Sequence, residues 1–395
     1  MKKFINNFYH LPKAISANVW YGYPTRKLIV IGVTGTDGKT TTTNMIYQIL
    51  KSAGKKVSMI SSINAVVGGK TYDTGFHVTS PDPFTAQSFA KKAYGCGDQY
   101  LILEVTSHAL DQYRFWGIKF EIGVITNITH EHLDYHKTFE NYFQTKLKLI
   151  KNAKFAVINQ ANRTDRTNRT DRTDKTDRVI TFGLDKGDLN QKDIKLKLKV
   201  LGDYNVENAL AALAVAFSLN IDRKIAQKAL ENFTGVSGRM EEVKNNKGIK
   251  IIIDFAHTPN ALKQALATLR QHSQGRLISV FGCASQRDVM KRPMMGEISG
   301  KISDITILTD EDPRFESSHK IIEEIAQGVY KQGAKDQINL FKISDRAKAI
   351  SLAIKLAKKG DTIGIFGKGH ERSMSYQGVE KPWSDRQAVE KALNG

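Results

Sequence analysis

A glycine-rich loop with a lysine lies between a predicted strand and a predicted helix. The loop reads VTGTDGKT over residues 33–40, after the apolar run Leu28–Val33 and before the amphipathic stretch Thr40–Ser52. Backbone amides and a helix N-terminus in this arrangement bind phosphate groups. Lys39 would reach the β- and γ-phosphates of a nucleotide, and the Thr40 hydroxyl would bind magnesium. A strict Walker A motif needs glycine where this chain has Val33, so the alternative is a glycine-rich turn with an incidental lysine.

Acidic and imidazole side chains follow two later strands. The apolar segment from Leu101 to Leu103 ends in Glu104, and three histidines cluster after the predicted strand Glu121–Ile125. A carboxylate at a strand end is where a nucleotide-binding enzyme holds its metal. On residue types alone, Glu104 could instead form a surface ion pair, and the histidines could be structural.

The elements that must position these side chains alternate between apolar strands and amphipathic helices. One series runs from Leu28 to Leu219 and a second from Ile249 to Phe366, with a polar, glycine-containing boundary at Thr234–Gly248. Such alternation predicts mostly parallel sheets covered by helices on both faces. The predicted fold class is therefore α/β: a central P-loop ATPase domain with a mostly parallel sheet, followed by a C-terminal Rossmann-like α/β domain. The predicted domains are a short aromatic arm at 1–27, a central domain at 28–236 and a C-terminal domain at 237–395.

Residues 163–178 read RTDRTNRTDRTDKTDR and contain no apolar side chain. The segment cannot contribute to a core, so it is predicted to be a disordered polar insertion in the central domain.

The composition limits the class of protein. The 395 residues carry a net charge of +19 with two cysteines, and no apolar run approaches the ~20 residues of a membrane span. No signal peptide is recognisable, so a cytoplasmic protein without a membrane span is expected. The charge is explained either by a lysine-rich solvated surface or by an anionic partner. Because no nucleic-acid-binding motif accompanies it, no nucleic-acid partner is expected, and a nucleic-acid-stimulated P-loop ATPase is the weaker alternative.

Several segments resemble the Mur ligases of peptidoglycan synthesis. TGTDGKTTT from Thr34 is similar to the family's TGTNGKTTT, EVTSHAL from Glu104 to EVSSHGL, and TNITHEHLDYH from Thr126 to TNLSRDHLDYH. Further segments match in the family's order as far as the C-terminus. The resemblance implies an ATP- and magnesium-dependent ligase that forms an amide bond through an acyl phosphate.

The resemblance also implies roles for individual residues. The expected catalytic residues are Lys39, Glu104, His132 and Lys146, with Lys146 carbamylated. The expected metal ligands are Thr40, Glu104, His132 and Lys146. The expected nucleotide contacts are Gly35, Thr36, Asp37, Gly38, Lys39, Thr40, Thr41, Asn127, Asn205, Arg239 and Asp254.

Two further groups of residues are expected to bind the substrates. The positions matching muramyl-peptide contacts are Thr79, Ser80, Ser107, Gln112 and Arg114. Those matching contacts to the incoming amino acid, in FGCASQRDVMKRP, TDEDPRFE and FGKGHE, are Arg287, Asp312, Arg314, Gly367 and Glu371. Arg314 suits a distal carboxylate and so favours meso-diaminopimelate over L-lysine. Asp312 stands where the family usually has asparagine, and an acid there acts in the opposite sense.

The resemblance leaves the acceptor open. Its implied form is the D-glutamyl carboxylate of a UDP-N-acetylmuramyl dipeptide, which in Mur ligases is bound partly by an N-terminal UDP-binding domain. Only residues 1–27 precede the nucleotide-binding strand. Either the aromatic arm holds the uridine, or a partner chain supplies that function, or the ligase uses a different, non-UDP acceptor.

Overall fold

The chain divides into two compact units. The computed structural model describes residues 5–73, 80–129, 131–162, 178–285 and 288–394. Unit 1 spans residues 1–234 and unit 2 residues 235–395, so the division lies two residues before the predicted one. All but the last residue of the predicted insertion at 163–178 lies outside the described residues.

Unit 1 is built on a nine-stranded sheet in the order β4-β3-β2-β5-β1-β6-β7-β8-β9. All neighbouring strands are parallel except β3, which pairs antiparallel with both β2 and β4. Its strands are β1 Ile29–Thr34, β2 Val57–Ile60, β3 Ala65–Val67, β4 Lys70–Tyr72, β5 Tyr100–Glu104, β6 Phe120–Ile125, β7 Ala153–Asn159, β8 Arg178–Gly183 and β9 Leu189–Asn190. Its helices are α1 Leu11–Tyr21, α2 Lys39–Ser52, α3 Pro83–Gly95, α4 Ser107–Asp111, α5 Leu133–His136, α6 Phe139–Lys151, α7 Asp203–Ser218 and α8 Arg223–Glu231.

The central strands of this sheet are buried along nearly their whole length. In β5 every residue is buried, and in β1 only Ile29 is partly exposed. This is the burial expected of parallel strands that helices cover on both faces, and it explains their continuous apolar sequences. The carboxyl ends of β5, β1 and β6 lie side by side and carry Glu104, the glycine-rich loop and Asn127.

Helix α7 explains how the loop-bearing helix α2 is held. Alanine dominates its middle, and every residue from Asn208 to Ala216 is buried. Small side chains allow close approach of packed helices, and α7 packs against α2 and the sheet.

Unit 2 contains a six-stranded sheet in the order β10-β11-β15-β12-β13-β14, parallel except for β10. Its strands are β10 Glu241–Glu242, β11 Lys250–Asp254, β12 Leu277–Phe281, β13 Ile305–Leu308, β14 Leu340–Lys342, β15 Thr362–Phe366, β16 Ser373–Tyr376 and β17 Val379–Pro382, of which the last two form a separate hairpin. Its helices are α9 Pro259–His272, α10 Lys291–Ile302, α11 Ser318–Tyr330, α12 Arg346–Leu356 and α13 Asp385–Asn394.

A buried ion pair joins four segments of unit 2. Arg346 and Asp385 are each fully buried, and the guanidinium Nε and Nη2 donate to the carboxylate at 2.7 and 2.8 Å. The same guanidinium donates to the carbonyl oxygens of Asp310 and Phe366. It therefore ties α12 and α13 to the loop that follows β13 and to the last residue of β15.

The predicted α/β class with mostly parallel sheets is confirmed, and one predicted strand is wrong in position. Apolar side chains alternate with polar ones in residues 337–341, which read QINLF, and this pattern predicts a strand over Gln337–Phe341, but β14 is Leu340–Lys342. Gln337 has a left-handed φ of 60° and Ile338 is 68% exposed, so the first residues form a turn. The apolar side chain of Ile338 gave the segment the alternation of a strand without being buried.

Candidate active site

The segment after β6 fixes the backbone of the glycine-rich loop. The N–H groups of Thr36 and Asp37 donate to the carbonyl oxygen and to Oδ1 of Asn127, at 2.8 and 2.9 Å. Asn127 Nδ2 and Thr126 Oγ1 donate in turn to the Asp37 carbonyl oxygen, at 3.2 and 2.6 Å. Both the oxygen and the nitrogen of the Asn127 side-chain amide therefore form hydrogen bonds that fix the shape of the loop.

Gly38 ends the loop and begins α2. It has a left-handed φ of 80°, and a Cβ atom there would overlap Oδ1 of Asn208 on α7. Glycine is required at this position both for its backbone conformation and for the space. Thr40 and Thr41 are buried in the first turn of α2, directly after Lys39.

Two lysines converge on one carbonyl group of the loop. Lys39 Nζ donates to the carbonyl oxygens of Gly35 and Thr36, at 3.1 and 2.8 Å. Lys146 Nζ, from α6, donates to the same Gly35 oxygen at 2.7 Å and lies 4.7 Å from the ring centroid of Tyr142. The Tyr142 hydroxyl lies 2.9 Å from Thr36 Oγ1, so α6 contacts the loop at two points.

The Lys146 amine is in an unusual environment for a lysine. The side chain is 1% exposed. Burial lowers the pKa of Lys146 well below its ordinary value, and the positive charge of Lys39 lowers it further against the opposing effect of Glu131 and Asp37. Burial and the charge of Lys39 therefore both act against the charged form of the amine, and the neutral form of an amine is the nucleophile.

Glu104 and Thr40 bring together side-chain oxygen atoms of the kind that bind magnesium. Thr40 Oγ1 lies 3.1 Å from both carboxylate oxygens of Glu104, which is 1% exposed. Glu104 Oε2 also accepts from the backbone N–H of Ser62 at 2.9 Å. Magnesium at nucleotide sites is held by one or two carboxylates together with substrate phosphates and water, so this pair fits magnesium.

The histidines form an aromatic cluster next to α6. The ring centroid of His132 lies 4.9 Å from that of His108 and 6.1 Å from that of Tyr142. His136 is buried, and its Nε2 lies 3.0 Å from Ser107 Oγ. His132 is thus joined to the loop through Tyr142, while Ser107 is paired with a different histidine.

The residues expected to bind the muramyl peptide form a hydrogen-bonded group around the end of β5. Ser80 Oγ donates to the carbonyl oxygen of Glu104 at 3.1 Å and accepts from the N–H of Thr106 at 3.0 Å. Arg114 donates from Nη1 to the Ser80 carbonyl oxygen and from Nε to Gln112 Oε1, both at 2.9 Å. Ser80, Gln112 and Arg114 are therefore brought together beside Glu104.

Asn205 lies in the first turn of α7. Its Nδ2 donates to the Leu201 carbonyl oxygen at 2.7 Å, and its Oδ1 accepts from Asn208 Nδ2 at 3.2 Å. Asn208 Oδ1 accepts from Thr42 Oγ1 on α2 at 3.2 Å. A chain of side-chain hydrogen bonds therefore joins Asn205 to the loop-bearing helix.

Within unit 2, Asp254 organises the residues around the end of β11. Its two carboxylate oxygens accept from the N–H groups of Met240 and Ala256, at 2.7 and 2.8 Å. The guanidinium carbon of Arg239 lies 4.4 Å from the ring centroid of Phe255. Arg239 and Asp254 therefore belong to one local cluster of this unit.

The acid at position 312 is paired with a buried lysine. Asp312 Oδ1 accepts from Lys368 Nζ and from the N–H of Ser375, both at 2.9 Å. Lys368, 2% exposed, also pairs with Glu371 Oε2 at 2.6 Å. Although burial lowers the pKa of Lys368, the carboxylates of Glu371 and Asp312 raise it above its ordinary value, so the lysine is charged.

Arg314 is held by its backbone next to this cluster. Its N–H donates to the Ser375 carbonyl oxygen at 3.0 Å, and its carbonyl oxygen accepts from the N–H of Gln377 at 2.6 Å. Its guanidinium is partly buried and has no hydrogen bond or ion pair to any residue that the structure describes. The positive charge is therefore directed at no acid in the described part of unit 2.

Gly367 marks a close approach between two loops. Its N–H donates to the Asp254 carbonyl oxygen at 3.1 Å, its φ is 106°, and a Cβ atom would overlap Glu311 Oε2. Glu311 is 6% exposed, and its Oε2 is without a hydrogen-bond partner among the described residues. Burial raises the pKa of Glu311 to about 7, although the charges of Lys291, Arg346 and Lys368 oppose the rise.

Three residues considered at the sequence level lie outside the described residues. They are Thr79, expected to bind the muramyl peptide, Arg287, expected to bind the amino acid, and His130, the first of the three histidines that follow the predicted strand Glu121–Ile125 in the sequence.

Sequence reasoning missed four residues that complete these clusters: Tyr142, Asn208, Lys368 and Glu311. Tyr142 precedes Lys146 by one helical turn and Asn208 follows Asn205 by three residues, so helical spacing was a usable signal. Lys368 and Glu311 lie inside motifs that were recognised, and only their burial distinguishes them.

The fold and these clusters define an α/β nucleotide-binding enzyme of the P-loop type with a second α/β unit. Residues 33–216 match the Mur ligase middle domain, and residues 238–369 match the Mur ligase glutamate ligase domain. The chain belongs to the Mur ligase family and is an ATP-dependent ligase that forms an amide bond and uses magnesium.

Individual relatives agree with this assignment. A UDP-N-acetylmuramoyl-L-alanyl-D-glutamate–2,6-diaminopimelate ligase of Aquifex aeolicus is 40% identical over 96% of this chain and 80% of the relative. A UDP-N-acetylmuramyl-tripeptide synthetase of a Roseiflexus species is 34% identical over 95% of this chain and 81% of the relative. A solved structure of a UDP-N-acetylmuramoyl-L-alanyl-D-glutamate–2,6-diaminopimelate ligase superposes with a TM-score of 0.62 at 28% identity, over 96% of this chain and 82% of the other.

Proposed function

We propose that this chain joins the D-glutamyl carboxylate of UDP-N-acetylmuramoyl-L-alanyl-D-glutamate to diaminopimelate in peptidoglycan synthesis, at the expense of ATP. The names of its relatives support these substrates. One feature of the site carries the choice of amino acid. Arg314 offers a guanidinium without a partner among the described residues, while the neighbouring acid, Asp312, is already paired with Lys368.

The loop at residues 35–41 binds the phosphates of ATP in this proposal. Asn127 and Thr126 hold its backbone in place before the nucleotide arrives, so little ordering is needed on binding. Lys39 lies over the loop's own carbonyl groups and exchanges these hydrogen bonds for the β- and γ-phosphates. Such preorganised positive charge stabilises the transferring phosphoryl group.

Thr40 and Glu104 would hold magnesium, which when bound neutralises phosphate charge and aligns the reacting oxygens. Ser62 keeps the Glu104 carboxylate oriented through its backbone N–H. Roles for His132 as a metal ligand, and for Asn205, Arg239 and Asp254 at the nucleotide, remain predictions from the family resemblance.

The reaction proceeds in two steps. First, a carboxylate oxygen of the muramyl peptide bonds to the γ-phosphorus of ATP and ADP leaves, which yields an acyl phosphate. Second, the neutral amine of the amino acid bonds to the acyl carbon, inorganic phosphate leaves, and the surplus amine proton passes to solvent. Ser80, Gln112 and Arg114 bind the muramyl peptide beside Glu104, and Arg314 binds the distal carboxylate of the amino acid.

Lys146 is proposed to act as a carbamate. Its neutral amine bonds to the carbon of carbon dioxide and one proton is released, which leaves an anion. In the structure the Nζ atoms of Lys39 and Lys146 both donate to the Gly35 carbonyl oxygen. A carbamate on Lys146 would carry a negative charge and so would attract the Lys39 ammonium, which a positively charged Lys146 repels.

Replacement of Lys146 tests this role. Lys146→Ala should lose at least roughly a hundredfold in ligase rate, because a buried charge partner is removed. Added acetate or formate should restore part of the rate by supplying an anion. Lys148→Ala, on an exposed position of the same helix, is the matched control and should keep full activity. A Lys146→Ala enzyme as active as the control would exclude the carbamate.

Phosphate release with defined substrates tests the proposed function itself. Purified protein, ATP and magnesium are combined with UDP-N-acetylmuramoyl-L-alanyl-D-glutamate and either diaminopimelate or one of several other amino acids. The expected result is phosphate release together with a tripeptide product only when diaminopimelate is present. Phosphate release that does not depend on the muramyl dipeptide would contradict the proposed acceptor.

A further inference from the structure

The first helical segment of unit 1 carries five of its large apolar side chains on the outside. One π-helical turn at Asn6–His10 leads into α1, which ends at Tyr21 and is capped by Gly22. Five exposed apolar residues lie along one side of this segment: the second and third follow the first by three and four residues, and the last two come about three helical turns later. These residues, which we call the aromatic stripe, are Ile5, Phe8, Tyr9, Val19 and Trp20, with exposed fractions of 44, 70, 60, 60 and 76%.

The inner side of the same segment is made of small and polar residues. Ala14 and Ala17 are completely buried, and Asn18 donates from Nδ2 to the Trp116 carbonyl oxygen at 2.8 Å. Asn6 Nδ2 donates to the Asp111 carbonyl oxygen at 2.9 Å. A surface helix of a soluble domain normally buries its largest apolar side chains, whereas here the buried positions are alanines and asparagines and the largest side chains are exposed. The buried asparagines fix which side faces out.

The charge of the segment is of one sign. Residues 1–27 contain five lysines and arginines and no aspartate or glutamate. The Arg26 guanidinium lies 3.9 Å from the Tyr23 ring centroid, and the exposed Lys91 of α3 lies 5.8 Å from that of Tyr21. Cations therefore stand beside aromatic rings at the end of the stripe.

This combination matches the surface of an anionic bilayer. Trp, Tyr and Phe are suited to the boundary between headgroups and acyl chains, and nearby Lys and Arg are attracted by anionic headgroups. Among the described residues no helix is both long and apolar enough to cross a membrane. The 11 residues of α1 extend about 16 Å, half the thickness of a hydrocarbon core, so the segment fits the plane of the interface.

We propose that residues 5–27 are a membrane-docking element that lies flat on an anionic lipid surface, with the aromatic stripe in the headgroup–acyl boundary. Docking depends on both parts of the element: the stripe supplies apolar burial and the basic residues supply attraction. The proposal is independent of the substrates proposed above, because no residue of the stripe belongs to the candidate active site.

Vesicle co-sedimentation of the full chain tests the proposal. Wild-type protein should sediment with vesicles of phosphatidylcholine and phosphatidylglycerol at low salt, and much less with phosphatidylcholine alone. Phe8→Ser combined with Trp20→Ser should weaken binding roughly tenfold or more, since two exposed aromatic side chains are lost from the boundary. The matched control, Val179→Ser with Ile225→Ser, removes exposed apolar residues of unit 1 outside the stripe and should bind like wild type.

Further measurements distinguish docking of the stripe on a membrane from binding by net charge alone and from contact with a second copy of the chain. Tryptophan emission should shift to shorter wavelength on vesicle binding, and Trp20→Phe should reduce that shift. Equal sedimentation of the stripe variant and the control would show that the net charge alone drives binding, and would overturn the proposal. A wild-type dimer that stripe substitutions convert to a monomer, without vesicle binding, would assign the stripe to a second copy of the chain and would equally overturn it.

Discussion

Replacement of Arg314 by alanine should separate diaminopimelate from lysine as substrates. The Arg314 backbone is fixed by hydrogen bonds to Ser375 and Gln377, and its φ is 48°. Arginine and alanine both carry a Cβ atom, so the substitution leaves the backbone strain unchanged. The change is therefore confined to the guanidinium, which contacts no acid in the described part of the chain.

The expected size of the effect follows from the chemistry of the guanidinium. A hydrogen bond to a charged group contributes about 1.5–3 kcal/mol, and a guanidinium binds a carboxylate through two of them. Because Arg314 is only partly buried, we take about 3 kcal/mol for the pair, or roughly a hundredfold in kcat/KM for diaminopimelate. Lysine lacks the distal carboxylate, so its kcat/KM should change less than about threefold.

The assay measures kcat/KM for both amino acids in wild type, Arg314→Ala, Arg314→Lys and Asp312→Asn. Arg314→Lys should recover only part of the loss, because an ammonium cannot form the bidentate pair. Melting temperatures serve as the control for folding. Two results would refute this reasoning and make Asp312 the determinant of amino-acid specificity. One is a wild-type kcat/KM for lysine equal to that for diaminopimelate. The other is a larger change in the ratio of the two kcat/KM values in Asp312→Asn than in Arg314→Ala.

Three further substitutions follow from the structure. Lys39→Ala should abolish ATP turnover with little change in melting temperature, and turnover near the wild-type rate would refute the phosphate-binding role. Gly38→Ala should lower the melting temperature and stop turnover, since it adds about 1–2 kcal/mol of left-handed strain and a clash with Asn208. Gly54 is the control position, because it has a similar φ of 70° with open space around it. If Gly54→Ala lowered the melting temperature as much as Gly38→Ala, the clash with Asn208 would be refuted. Glu311 should lower the stability of unit 2 as pH rises, because the carboxyl group has a pKa of about 7 in the folded state and 4.5 in the unfolded state. Between these two pH values the free energy of unfolding should fall by about 3 kcal/mol. Glu311→Gln should flatten the fall in melting temperature between these pH values, and an unchanged pH profile would contradict this.

The fold was largely predictable because its strands are buried parallel strands. The apolar runs Leu277–Phe281 and Thr362–Phe366 predict two strands, and the structure has strands with these bounds. The helical spacing of apolar residues likewise predicts helices over Phe139–Lys151 and Pro259–His272, which are the bounds of α6 and α9. Elements with weaker patterns were missed. Helix α3 is short in large apolar residues, since its buried side consists mainly of alanines and a glutamine, and the hairpin β16–β17 is half exposed.

The predicted site residues were recognisable by motif, but their electrostatic partners were not. Sequence spacing placed Lys39 in the loop, yet nothing in the sequence indicated that Lys146 would donate to the same carbonyl oxygen. Lys368 and Asp312 are 56 residues apart, and their ion pair depends on how β15 and β13 sit in one sheet. Long-range pairing of this kind is a property of the packed sheet and is not encoded in local spacing.

The ion pair between Asp312 and Lys368 changes the effect that Asp312 is expected to have on the amino-acid substrate. Considered alone, an acid where the family usually has asparagine would repel a substrate carboxylate and attract an amine. In the structure Lys368 is shared by Asp312 and Glu371, so the three side chains together carry one net negative charge. Arg314 adds one positive charge beside them. The distal centre of diaminopimelate has both an ammonium and a carboxylate, so it can satisfy both, whereas the distal ammonium of lysine would leave Arg314 without a partner and would incur the cost of its desolvation.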